Sequence, residues 1–433
     1  MTDARQHHVR IRRRIRWWGP VLAAVLTVPA ACTSSSSGDD TPSATEQAST
    51  PDAPSPDSSA AEPSDEPTTD ATEPPAEPAP RELSLVVSGD VLLHSGTWTT
   101  AQADAARRGR DGLDFRPMFS AVAPTVRAAD LAVCHLETPV APPAGPFASY
   151  PLFSAPPQVV PALVQTGYDA CTTASNHSVD QGLDGLTRTL RTLDAASLPS
   201  DGTARTRREA REPLMMNVNG VRIVILSSTY GTNGLPLPEG RPWSVTLIDP
   251  DKIKADAARA RRAGADVVVA ALHFGTEYTT TPDAYQRDVV DAITKSPHID
   301  LVYGHHAHVV QPIDRVNGTW VAFGLGNFIA QQETSMPDTY RGVTVRFELR
   351  EQPSGSFEVD SIGYVPTMIT PFSSADPRMR VLDVPQALAD PDTPETLRPS
   401  LELALSAVRA DVLSLRAGRI DPDVPVRLLS PAP

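Results

Sequence analysis

Two runs of apolar and β-branched residues limit the folds open to this chain. The first is Asp266-Val267-Val268-Val269-Ala270-Ala271-Leu272-His273-Phe274-Gly275, and the second is Ile299-Asp300-Leu301-Val302-Tyr303-Gly304-His305-His306-Ala307-His308. Neither alternates polar with apolar, so neither has a solvent face. That is the pattern of strands buried on both sides in a parallel sheet, and the polar and then helical segment between them suits the crossover such a pair requires. Both runs end in histidine. Open parallel sheets place their sites beyond the carboxyl ends of the strands, so His273, His306 and His308 can converge. Imidazole is the commonest protein ligand for zinc, manganese and iron. In an extended segment His306 and His308 point to one side, and Gly304 would let the backbone approach an ion. A lone histidine after a strand is more often structural, a reading that three at two strand ends strain.

The same arrangement recurs upstream. Residues 83–91 read as a strand ending in Gly89-Asp90, residues 130–136 as one followed by Glu137, and residues 169–174 as one followed by Ser175-Asn176-His177. Taken singly, Asp90 is as well explained as an Asx cap and Glu137 as a loop carboxylate ahead of Pro139. Helical patterns fall at residues 117–128, 157–165, 183–196 and 253–264, with Asp180 and Gly182 opening the third. Asn219-Gly220 and Asn317-Gly318 mark hairpins with a type I′ signature. Strand alternating with helix, with hairpins interleaved, gives an α/β chain of two stacked mixed sheets covered by helices. Beyond Asn327 the chemistry thins: strands at 343–349 and 357–365 and a helix at 394–417 read as cover for the core, and 418–433 as a loose tail.

The amino terminus is of another kind. An arginine-rich start, an apolar run over residues 21–31 and the exit Ala30-Ala31-Cys32 describe a secretory signal, too short for a membrane span. Cys32 after two alanines suggests a lipidated mature terminus, with plain cleavage left open by Pro29. Residues 33–82, rich in Ser, Pro, Thr and acids, have almost nothing to bury and read as a disordered tether, reaching at most about 150 Å. The formal net charge of −14 speaks against a nucleic-acid partner.

The chain has ten histidines. His7 and His8 lie in the leader, and of the rest all but His298 fall close to a predicted strand end. With Asp90, Glu137 and Asn176 they form an order suited to two ions about 3.5–4 Å apart, bridged by a carboxylate.

The motifs Gly89-Asp90, His135-Leu136-Glu137, Ser175-Asn176-His177, Leu272-His273-Phe274-Gly275, Gly304-His305-His306-Ala307-His308 and Gly326-Asn327-Phe328 resemble, in order, those of the capsule-synthesis CapA family, a branch of the calcineurin-like metallophosphatases. The resemblance covers residues 83–330 and implies a four-layer α/β/β/α sandwich. It also implies an extracytoplasmic, membrane-attached protein of capsule or envelope polymer synthesis or export, of the poly-γ-glutamate type, working beside other capsule-synthesis proteins. By it, Asp90, Glu137, Asn176, His273, His306 and His308 would hold two divalent ions (Mn, Zn or Fe), and His177 would donate a proton. Three readings follow: a metal-dependent hydrolase or transferase, a non-catalytic scaffold or polymer-binding protein, and a cell-wall phosphodiesterase or phosphatase.

The chain departs from the pattern in three places. Leu92 stands where the superfamily's Asp-x-His has histidine, leaving one ion short unless His94 supplies a ligand. His135 replaces a usual asparagine, adding a ligand or filling space. His305 competes with His306, which is preferred because it keeps His-x-His. Cys134 and Cys171 are expected as buried free thiols, since neighbouring parallel strands seldom present disulfide geometry.

Overall fold

The computed structural model describes residues 79–416 and 424–430. The leader, Cys32 and nearly all of the tether lie outside the described residues. In chain order the main elements are β1 (Glu82–Val91), α1 (Ser95–Arg107), α2 (Ala123–Arg127), β2 (Leu131–Leu136), α3 (Val159–Thr166), β3 (Ala170–Thr172), α4 (Gly182–Ala195) and β4 (Ser200–Asp201). Then come β5 (Met215–Val218), β6 (Val221–Thr229), α5 (Pro250–Arg262), β7 (Val267–Phe274), α6 (Ala284–Thr294), β8 (Leu301–His306), β9 (Ile313–Val316), β10 (Thr319–Ala322) and β11 (Asn327–Ile329). The last are β12 (Arg341–Glu351), β13 (Phe357–Ile369), β14 (Val381–Asp383), α7 (Val384–Ala389), α8 (Arg398–Leu413) and β15 (Val426–Leu428).

Among the described residues these strands form two sheets. One runs β14-β13-β12-β1-β2-β3-β4, with β11 also on β1 and β15 on β13; the other runs β5-β6-β7-β8-β10-β9. Alternation along each strand decides what the faces meet. Leu85, Val87, Leu131 and Val133 of the first sheet pack against Ile223, Ile225, Val267, Val269, Leu301 and Tyr303 of the second. The opposite face of the first sheet, with Val86 and Ala132, meets Phe119, Val126, Val160 and Leu163. Val224, Val268, Leu272 and Val302 of the second meet Ile253, Ala257, Val290 and Ile293 on α5 and α6. Helix, sheet, sheet and helix therefore stack as the expected four layers, with three apolar seams between them. Each large aliphatic side chain buried there stabilises the fold by about 1.5–3 kcal/mol.

Several local expectations change. Residues 95–107, not singled out by any apolar stripe, form α1, whereas 117–128 divides into a short 3-10 turn and α2. The strands read as cover belong to the sheet itself, β12 lying directly beside β1, antiparallel from Glu82↔Arg350 to Val87↔Val345, while α8 does cover the core with Val408 and Val412. Part of the supposed loose tail is β15, parallel to β13. Cys134 and Cys171, expected as free thiols, form a disulfide. They stand opposite each other in the β2–β3 register, with Cα atoms 4.4 Å apart, at the near end of the range a disulfide spans.

Gly304 is tightly packed. A Cβ there would lie 2.0 Å from the Phe323 carbonyl oxygen and 2.9 Å from Phe274 Cε1. Gly304→Ala must therefore push β8 away from the strand beside it. Urea denaturation is expected to show a loss of about 3 kcal/mol or more; an unchanged midpoint would contradict this packing.

Candidate metal centre

The positions that face the apolar seam between the sheets carry, at the carboxyl ends of their strands, the polar residues of the site. Leu131 and Val133 are followed on that face by His135, Ala170 by Thr172, Ala271 by His273, and Leu301 and Tyr303 by His305. Asp90 joins them through an irregularity. Val87 pairs with Val133, but the next matched pair is Asp90 with His135, so β1 contains one extra residue. That bulge reverses the alternation: Val91 turns to the helix-covered face and Asp90 to the seam. Gly89 makes it possible, since a Cβ there would lie 2.1 Å from the Gly326 carbonyl oxygen.

The side chains then meet. Asp90, fully buried, accepts from His305 Nδ1 at 2.7 Å, from His308 Nδ1 at 3.1 Å and from the His306 amide at 3.3 Å. His308 Nδ1 also lies 3.0 Å from Asn327 Oδ1, whose amide nitrogen donates to the carbonyls of His308 and Thr339. Glu137 Oε1 lies 3.9 Å from both His273 Nε2 and His308 Nε2. Asn176 Oδ1 lies 2.8 Å from His273 Nε2, and Asn233 fixes the amide by accepting from its Nδ2 at 3.2 Å. His177 is held through Nδ1 by Asp180 at 2.8 Å. Tyr230 and Tyr278, each partly exposed, stand over His306 and His308 at the mouth.

Burial and the neighbouring charges shift these groups in opposite directions. Burial alone would raise the pKa of Asp90, but the hydrogen bonds from His305 and His308 hold it well below the usual carboxylate range. Glu137 goes the other way: burial and the neighbouring Asp90 charge push it well above its ordinary value. Burial would lower His308, yet Glu137 and Asp90 push it up to about 9. His306 falls to about 3, chiefly by burial, and His135 and His273 also fall well below the ordinary imidazole value. Both oxygens of Glu137, together with His305 Nε2 and His306 Nδ1, are buried without a hydrogen-bond partner. Buried polar atoms without partners are rare because each costs about 1–3 kcal/mol, more if charged. Three overlapping groups bring ligand atoms within 4.8 Å of one another: Asp90, Glu137 and His308; Asp90, His135 and His305; Glu277, His306 and His308. A donor set of carboxylate oxygens and neutral imidazoles with unspent lone pairs is compatible with divalent metal.

All the residues singled out from the sequence, Cys32 apart, therefore reach one region. The His306-Ala307-His308 segment is not extended, as the side-sharing reading supposed. His306 and His308 both have left-handed backbones, with φ of 86° and 57°, and the two rings lie 5.9 Å apart. Such conformations cost of order 1–3 kcal/mol each and cluster at functional sites. His305 comes in as well as His306, bonded directly to Asp90. Leu92 packs with Phe153 and Ala330, while His94 edges onto Phe153 with Nδ1 3.3 Å from both the Leu92 carbonyl and the Gln331 amide. Asp180, expected to open a helix, pairs with His177 instead. Sequence reading missed Glu277, Asn233, Tyr230 and Thr172. Glu277 follows His273-Phe274-Gly275 by two residues and Thr172 lies in the strand leading to Ser175-Asn176-His177, so both were open to notice; Tyr230 and Asn233 lie in a segment without a motif.

Glu137 makes the metal-free chain sensitive to pH. A carboxyl whose folded pKa is raised contributes stability below its ordinary value of 4.5 and loses it as pH rises toward the folded value. Metal-free Glu137→Gln should therefore melt at a higher temperature than the parent at pH 8, with the gap closing toward pH 4.5. Equal melting curves at pH 8 would show that Glu137 is compensated in some other way.

Comparison with known proteins agrees with this reading of the motifs. The family model described as bacterial capsule synthesis protein PGA_cap matches residues 84–332. The chain is 30% identical over 205 residues to the PGA biosynthesis protein CapA of Bacillus subtilis, covering 47% of this chain and 53% of that one. It is 27% identical over 232 residues to the capsule biosynthesis protein CapA of Bacillus anthracis, covering 53% and 56%. It thus spans about half the length of the curated relatives it matches. Among solved structures it is similar to the calcineurin-like phosphoesterase YfkN of Bacillus subtilis, with a TM-score of 0.42 and 16% identity over 76% of this chain and 99% of that one. With more than half of its length matched by that model, the chain belongs to the family of bacterial capsule synthesis proteins PGA_cap.

Proposed function

We propose that this chain holds two divalent ions between its sheets and uses them for hydrolysis or group transfer at a phosphoester or γ-glutamyl bond of an envelope polymer. The observation that carries the reading is Glu137, buried with neither oxygen hydrogen-bonded and with one oxygen equidistant from two imidazole nitrogens. Asp90, Glu137 and His308 would hold one ion, and Glu137, Asn176, His273 and His306 the other. Manganese, zinc and iron all suit such mixed donors. Divalent ions there would lower the pKa of water and polarise a phosphoryl or carbonyl oxygen.

The remaining roles belong to the protein. Asp180 orients His177 through Nδ1, leaving Nε2 as the ring position from which a proton reaches the leaving group. Asn233 and Asn327 keep the amide of Asn176 and the ring of His308 in place. The names of the relatives from Bacillus support a poly-γ-glutamate type of polymer, whose carboxylates would meet the ions rather than the acidic body. The leader and Cys32 support export and a lipid anchor on the outer face of the membrane, with the tether spanning the wall. Other capsule-synthesis proteins would then be neighbours. Among the described residues no helix is long and apolar enough to cross a membrane.

A second reading, a polymer-binding scaffold without catalysis, draws on Leu92, which is committed to an apolar cluster where the superfamily's opening motif has a ligand.

Metal analysis with a substrate panel separates these readings. The purified chain should take up about two equivalents of Mn(II) and hydrolyse bis-p-nitrophenyl phosphate or γ-glutamyl oligomers. His177→Asn should lower turnover by about 10²–10⁴-fold without releasing metal. Phosphodiester cleavage alone would make phosphate the target, uptake without turnover would favour the scaffold, and no uptake would sink both metal readings. Because His308 carries a proton up to about pH 9 in the metal-free chain, binding should expel it. Affinity is then expected to rise with pH between pH 6 and 8, by at least about tenfold per unit since the raised Glu137 carboxyl must also be deprotonated, with proton release visible by calorimetry in buffers of different ionisation enthalpy.

A further inference from the structure

His135 is the residue for which the motifs give no role. It is fully buried, and both of its ring nitrogens are engaged. Nε2 lies 3.0 Å from His273 Nδ1, and Nδ1 lies 2.9 Å from Thr172 Oγ1. Thr172 in turn can donate to the Cys134 carbonyl at 3.3 Å, and the far nitrogen of His273 lies 2.8 Å from Asn176 Oδ1. Thr172 and His273 are as buried as His135, so water does not replace a lost partner. We infer that His135 is a positioning residue that dictates, through this unbroken hydrogen-bond chain, which nitrogen of His273 carries its proton.

The chain permits two arrangements. In one, His273 Nε2–H donates to Asn176, His135 Nε2–H donates to His273 Nδ1, and the Thr172 hydroxyl donates to His135 Nδ1. In the other, the donors between His273, His135 and Thr172 are reversed, while Asn176 Oδ1 stays an acceptor because its Nδ2 is spent on Asn233. His273 Nδ1–H donates to His135 Nε2, His135 Nδ1–H donates to Thr172, and the Thr172 hydroxyl turns to the Cys134 carbonyl. A mixed arrangement would oppose two donors or two acceptors across 3.0 Å, so the two tautomers are locked together. Both arrangements hold the same number of protons, and exchange between them needs no net uptake or release. Only the second leaves His273 Nε2 as a lone pair, which then faces the Asn176 oxygen across 2.8 Å as acceptor to acceptor, so this arrangement is favoured only when a cation stands between them. In that part the inference rests on the metal reading above. In either arrangement both nitrogens of His135 are spent inside the chain, so it acts through His273, although its ring also lies within reach of Asp90 and His305. The Cys134–Cys171 disulfide holds β2 and β3 together one residue before His135 and Thr172.

Selective ¹⁵N-histidine NMR of the full chain, with Zn(II) as a diamagnetic probe, tests this. Without metal, His135 and His273 should both be Nε2–H tautomers, and saturating Zn(II) should convert both to Nδ1–H. His135→Phe, which keeps ring bulk but offers no acceptor, should weaken Zn(II) binding by about 10–100-fold with unchanged stoichiometry. His135→Asn, whose amide oxygen can accept from His273 Nδ1–H, should restore affinity to within about threefold of the parent. Opposite tautomers in the two rings, parental affinity in His135→Phe, or loss of a whole equivalent of zinc from that variant would each overturn the inference. If the parent chain takes up no zinc at all, the metal reading falls by itself, and the metal-free tautomers still decide whether the two rings are coupled.

Discussion

A carboxyl group buried without a hydrogen-bond partner is costly in either protonation state, and the core of this protein contains Glu137 in that position. Asp90, a neighbour at equal depth, has two imidazoles and a backbone amide to answer its charge. Glu137 has only imidazole nitrogens standing off at 3.9 Å. Both of its oxygens are buried between the two sheets, away from the surface. The rest of the site follows from that imbalance. Histidines that burial keeps neutral retain lone pairs, amides from Asn176 and Asn327 orient them, and strained backbone at His306 and His308 brings the last two rings round. These features are redundant in a purely structural core and consistent with a place shaped for cations.

The seam between the sheets explains how so many polar groups come to be buried together. Along each parallel strand the inner-facing residues are apolar until the carboxyl end, where the next inner position is polar: His135, Thr172, His273, His305. Apolar packing lower in the seam sets the spacing of the sheets, and that spacing sets the distances between imidazoles. Function at the rim thus depends on shape in the core, which is why a single methyl at Gly304 should be felt at His305 and His306.

Much of this was legible in the sequence. The unbroken apolar runs at β7 and β8 announced buried parallel strands, and their histidine ends announced where the site would be. Parity would have selected His305 over His306 as the inner-facing residue of β8, but the His-x-His pattern drew attention to the other pair. What could not be read was the bulge that turns Asp90 inward, because one extra residue in a strand leaves no mark in composition. The neighbour of β1 was equally hidden. Arg341–Glu351 has an ordinary amphipathic pattern, and only long-range pairing shows that it belongs in the middle of the sheet rather than over it. The Cys134–Cys171 pairing was missed for a related reason, since a rule about typical parallel strands does not reveal the register of this pair. Asn233 comes from a loop whose sequence carries no periodic signal, whereas Glu277, two residues beyond Gly275, could have been read.

The central claim is that cations answer the charge of Glu137, and anomalous diffraction from crystals of the chain grown with Mn(II) addresses it directly. The account expects peaks flanking Glu137, with His308 and Asp90 on one and Asn176, His273 and His306 on the other. A density map in which Glu137 instead bonds to ordered water or a neighbouring side chain, with no anomalous signal between the sheets, would contradict it.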